Sequence, residues 1–154
     1  MTLRSGLRLL AAALCAATFA TAATAQDLSG WGDVRGFLIQ TLAPGQEIAA
    51  FAWLPDNPDP ALAREAIGVV YPEIVGSAGN VDIRVAYYAR GDAGFSMNRT
   101  VSNVFGMEPR NAQFLPDQIE VTTTVLGPND PRCCPSLARV WSISRTDWSA
   151  HPLN

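Results

Sequence analysis

The chain is predicted to form a mainly β domain, an antiparallel meander or small sandwich with one short helix near residues 60–67; an α+β arrangement is the alternative. Three observations lead there. Residues 118–126 (QIEVTTTVL) alternate, with Ile119, Val121 and Val125 on one side and Glu120, Thr122 and Thr124 on the other, the period of a half-buried strand. Residues 81–90 alternate in the same way, Val81, Ile83, Val85 and Tyr87 against Asp82, Arg84, Tyr88 and Arg90. Short apolar segments recur at close spacing, separated by turn chemistry such as Arg90-Gly91-Asp92-Ala93-Gly94 and Pro116-Asp117, which favours strands joined by hairpins.

Taken in order, residues 1–25 read as a secretory signal peptide. Arg4 and Arg8 supply the positive start, Leu9 to Ala20 the apolar run, and Ala23-Thr24-Ala25 the cleavage site, so the mature chain is expected to begin at Gln26. The run is too short and too rich in alanine for a spanning helix of about 20 apolar residues. Residues 26–154 then form one exported domain, the size of a single core.

Residues 26–32 are a polar lead-in. Residues 33–41 are compatible with a first strand or a short helical turn, and Ala43-Pro44-Gly45 is a turn. Residues 47–54 (EIAAFAWL) are apolar on both faces, as in a buried strand. The acidic proline loop 55–60 ends at Asp59-Pro60, an N-cap followed by a first-turn proline, and Ala61 to Ile67 is rich in helix formers up to Gly68. Residues 68–76 read as a strand bent or placed at an edge by Pro72. Further strands are expected at 95–105, 110–115 and 137–145, the last with Trp141 and Ile143 on one face. Residues 146–154 read as a loose tail.

Charge and composition exclude several function classes. Residues 26–154 hold nine arginines against fourteen acids, a net charge near −5, and no lysine. Nucleic acid and anionic lipid gain no electrostatic attraction from such a domain, so neither is expected as a partner, and no membrane attachment is expected after signal cleavage. Lysine nucleophiles, Schiff bases and phosphate-loop lysines are excluded outright. The lysine-free, alanine-rich usage points to a bacterial protein, periplasmic or secreted. His151 is the only histidine, which leaves no histidine-based hydrolase or zinc site with a companion base or ligand. No catalytic residue, metal set or cofactor is assigned.

Cys15 departs with the signal, so Cys133 and Cys134 are the only mature cysteines and they are neighbours. A vicinal disulfide, a reduced structural pair, a thiol–disulfide switch, a soft-metal site such as one for Cu(I), and an intermolecular bridge are the available states. Neighbouring side chains on an extended strand point to opposite faces, so a vicinal bridge needs a turn. Pro131, Pro135 and Gly127-Pro128 supply the bend. The expected role is a rigid corner, with a Cys133–Cys134 disulfide as its first form. Arg, Tyr and Trp dominate binding hot spots, which makes Arg132, Cys133, Cys134, Tyr88 and Trp141 the candidate binding residues. The partner class is an unidentified protein or small molecule; a thiol-redox or copper-handling role through Cys133 and Cys134 is the alternative.

The Arg132-Cys133-Cys134-Pro135-Ser136 run, set within Gly-Pro-x-Asp-x-Arg-Cys-Cys-Pro-Ser and followed by an aromatic strand, resembles small uncharacterised exported bacterial proteins of the LppP/LprE lipoprotein-like group. The resemblance covers about Ile119 to Ser144. It implies a β-rich exported domain and carries over no activity. Leu14 stands before Cys15 where those lipoproteins have the small residue of a lipobox.

Overall fold

A computed structural model of the chain describes residues 27–77 and 79–153; residues 1–25, expected to be a signal peptide, and Gln26 lie outside the described residues. One helix and eight strands follow in order: α1 (Val34–Leu42), β1 (Ile48–Pro55), β2 (Glu65–Pro72), β3 (Arg84–Gly91), β4 (Gly94–Val101), β5 (Met107–Phe114), β6 (Gln118–Val125), β7 (Leu137–Ser144) and β8 (Ala150–Pro152). They form two four-stranded antiparallel meanders, β1-β2-β3-β4 and β5-β6-β7-β8. The mainly β class expected from the sequence is the observed one.

Each meander is amphipathic in a way its sequence dictates. Ile67, Val69, Tyr71, Val85 and Tyr87 of the first sheet share a buried core with Ile119, Val121, Trp141 and Ile143 of the second. The opposite face of the first sheet carries α1: Val34, Leu38 and Leu42 pack with Ala66, Val70, Ala86, Tyr88 and Trp53. Strand β2 is therefore covered on both sides, and Ala66 through Pro72 are all buried. Gly68 permits this close approach, because a Cβ there would lie 2.6 Å from both Leu38 Cδ2 and Tyr88 Cε2.

The helix falls at 34–42 rather than near 60–67. Asp33 caps α1, accepting from the Gly36 amide at 2.8 Å, and Val34, Leu38 and Leu42 form its buried stripe at a spacing of four. Asp59 does cap a turn, accepting from the Ala61 amide at 2.8 Å. That turn is not continued. Arg90 takes the Ala63 carbonyl at 2.7 Å and also the Pro60 carbonyl, and the Asp56 side chain takes the Arg64 amide at 2.9 Å. With those groups engaged and a two-sided core waiting for Ala66 and Ile67, the chain enters β2. Central β2 also replaces the expected edge strand, with Pro72 at its very end.

The C-terminal residues are not a loose tail. Ala150–Pro152 pairs with β7 as β8, Trp148 stacks on Tyr87 with ring centroids 4.5 Å apart, and Ser149 forms a parallel bridge to Ser102 beyond β4. This bridge seams the two sheets along one side. At one end of the sandwich Arg145 places its two terminal nitrogens 3.0 and 2.7 Å from the Glu65 carboxylate oxygens, and the Tyr87 hydroxyl donates to Glu65 Oε1 at 2.7 Å. Glu65 lies on the first sheet and Arg145 just beyond β7 of the second.

Candidate functional site: the Cys133–Cys134 loop and its groove

The loop between β6 and β7 is built around Asp130. Its carboxylate accepts from the Gly127 amide at 2.7 Å, the Ser136 amide at 2.7 Å and the Ser136 hydroxyl at 2.8 Å. These donors, the Gly127 amide first, hold the Asp130 carboxyl below the usual range. Inside this clasp the Cys134 amide donates to the Pro131 carbonyl at 2.9 Å, closing a turn over Pro131-Arg132-Cys133-Cys134. The turn cancels strand alternation and brings both sulfurs to one side, 2.6 Å apart, as exposed free thiols. The Cys133 contact, with smaller contributions from burial and the Asp130 charge, pushes the Cys134 thiol up, so Cys134 is not a preformed thiolate nucleophile.

Asp130→Ala is expected to leave the thermal midpoint of the domain nearly unchanged while speeding amide exchange at Gly127 and Ser136 on the order of tenfold. Hydrogen-exchange NMR reads both amides; unchanged protection would show that the prolines, not Asp130, hold the loop.

Beside the loop runs a groove of about 570 Å³, lined by Phe105, Gly106 and Met107 from the approach to β5 and by Leu126, Arg132, Cys133 and Pro135 from the loop after β6. Phe105, Leu126 and Met107 are 57%, 51% and 39% exposed, an unusual convergence of large apolar side chains on a small domain. Among the described residues no hydrogen bond or ion pair engages the Arg132 guanidinium.

The floor is rigid for stated reasons. The buried Thr123 hydroxyl accepts from Trp141 Nε1 at 2.8 Å and donates to the Phe105 carbonyl at 2.6 Å. The Tyr71 hydroxyl donates to the Gly106 carbonyl at 3.0 Å; burial raises its phenol well above the usual value, so it stays a donor. Gly106 has φ +100°. Strand β5 then slips register twice against β6, with Glu108 and Asn111 in the left-handed region. Such bulges re-aim side chains beside functional sites, and here they follow directly on Met107.

The structure gathers Arg132 and Cys133 at the groove and places Cys134 against Cys133. It removes the other two candidate binding residues. Tyr88 is fully buried between α1 and the first sheet, its hydroxyl 2.6 Å from Thr41 Oγ1. Trp141 is buried beneath the groove, where its ring meets Phe105 edge-on at 5.7 Å; it shapes the floor and does not line it. Phe105, Met107 and Leu126, which complete the groove, carry one sequence signal: apolar residues beside Gly106 and Gly127, at strand ends.

Compared with protein-family models, curated proteins and solved structures, the chain matches none.

Another polar constellation lies beside β8. Ser149 Oγ donates to Asp147 Oδ1 at 2.9 Å and lies 3.3 Å from His151 Nε2. The serine sits between acid and histidine, so no carboxylate orients the imidazole as a serine-hydrolase relay requires.

Proposed function

We propose that residues 26–154 act outside the cytoplasm as a non-enzymatic binding domain, recognising a protein or small-molecule partner through the groove beside Cys133 and Cys134. One observation carries the reading: three exposed apolar side chains, Phe105, Met107 and Leu126, converge with the cation Arg132 in a groove whose Phe105 carbonyl is held by the buried Thr123. Preorganised walls of this kind lower the ordering cost of binding, and apolar anchors flanked by an arginine are the chemistry of interface hot spots. Export rests on Arg4, Arg8, the Leu9–Ala20 run and Ala23-Thr24-Ala25, in keeping with the likeness of Arg132–Ser136 to the LppP/LprE group.

Two measurements test this. Mass spectrometry of the protein recovered from the producing cell should give an N-terminus at Gln26; an intact Met1 start would refute export by a cleaved signal. A photo-crosslinking amino acid at position 105 should give a discrete adduct that Leu126→Asp abolishes. Adducts of equal yield from position 35, on the helix at the far side of the first sheet, would sink the groove as the binding site.

A further inference from the structure

We infer that the reduced Cys133–Cys134 pair and Met107 form a binding site for a single Cu(I) ion. The turn over Pro131–Cys134 sets two exposed sulfurs side by side, and Met107, at the bulged start of β5, lines the same groove as Cys133. Two thiols and a thioether are a soft donor set, which selects Cu(I) over harder ions. Structural zinc takes four cysteine or histidine ligands and calcium and magnesium take six or more oxygens, and the described residues contain no cluster of three or more His, Cys, Asp or Glu.

The geometry also argues for three ligands. With metal–sulfur bonds of about 2.3 Å, a trigonal ion requires its sulfurs about 4 Å apart. Exposed cysteine side chains reach that spacing from 2.6 Å by rotating about χ1. A trigonal ion held by both thiolates has one further coordination position, and Met107, lining the same groove as Cys133, is the thioether to fill it. Binding replaces the two thiol protons, released to solvent, with one Cu⁺; no electron is transferred. The resulting bis-thiolate centre carries one negative charge, and the Arg132 guanidinium is the cation lining the groove beside it.

The purified chain, reduced and kept anaerobic, would be titrated with Cu(I) against a chromophoric chelator. One Cu(I) per chain is expected, with affinity falling at least 100-fold in Cys133→Ser/Cys134→Ser and about tenfold in Met107→Leu. Met97→Leu, on β4, should bind as the parent does. Unchanged thermal midpoints would establish that the variants are folded. X-ray absorption of the loaded parent should report three sulfur ligands, reduced to two in Met107→Leu. Absence of stoichiometric binding, equal affinity in Met107→Leu, or Zn(II) bound as tightly as Cu(I) would each overturn the assignment.

Discussion

Gly106→Ala is expected to lower the stability of the domain by about 3 kcal/mol, combining a strained backbone with an overpacked core. The residue sits at φ +100°, and an added Cβ would meet Thr123 Oγ1 at 2.6 Å, the Thr124 carbonyl at 2.7 Å and Val125 Cγ1 at 2.8 Å. The Thr124 carbonyl is backbone in a paired strand and cannot step aside. The Thr123 hydroxyl is already fixed between Trp141 and the Phe105 carbonyl. Denaturant unfolding measures the loss directly, and a thermal midpoint lower by roughly 10 °C should accompany it. Gly45→Ala separates the two causes, because Gly45 also has positive φ but nothing within 4 Å of its Cβ position; it should cost only about 1 kcal/mol. Equal effects at the two positions would mean that packing at Gly106 is not tight.

Glu65→Gln is expected to cost about 2 kcal/mol at neutral pH, more than the fraction of a kcal/mol typical of an exposed pair. The Arg145 and Glu65 side chains are only 21% and 27% exposed, and the substitution leaves a half-buried guanidinium facing a neutral amide. The cost should depend on pH. The Arg145 hydrogen bonds, aided by the Tyr87 hydroxyl, lower the Glu65 carboxyl below its ordinary 4.5, against the opposing pull of burial. The unfolded carboxyl therefore takes up its proton first as acid is added. The ion pair's contribution is complete above pH 4.5 and is lost as pH falls through the lower folded value. Parent and variant stabilities should draw together as pH falls below 4.5; a difference that stays constant on acidification would show that charge at Glu65 does not hold the sheets together.

What could be read from the sequence follows from how each element is buried. Residues 118–125 and 137–144 form strands covered mainly on one side, so their alternation survives and Ile119 and Val121 are legible as core, with Trp141 and Ile143 legible as sharing a face. Strand β2 has helix on one face and the second sheet on the other. Two-sided burial erases alternation, and the helix formers at Ala61–Ile67 then dominate the reading. The sequence of helix α1 is ambiguous because Phe37 and Ile39 add apolar positions beside the stripe of Val34, Leu38 and Leu42. The site was half legible. Proline and cysteine chemistry marks the turn at Arg132–Cys134, whereas residue type alone cannot separate Tyr88 and Trp141, which are buried, from Phe105 and Leu126, which are not. Nor does any local pattern tie Glu65 to Arg145, eighty residues apart.

Both sheets are meanders, and each of the six ladders joins strands consecutive in the chain. Sandwiches are more often wired by Greek-key crossovers, whose strand pairs must close long loops before any hydrogen bond rewards them. Here each ladder can grow from a single hairpin or short connection, and the loop-closure entropy is concentrated in one event, the docking of one meander on the other. Local pairing of this kind lowers contact order and favours fast folding. The seam from Ser102 to Ser149 and the Arg145 clamp onto Glu65 draw on the last ten residues described. Docking is thus completed by residues 145–149, which follow seven of the eight strands in the chain, so the domain's cooperativity depends on this one short segment.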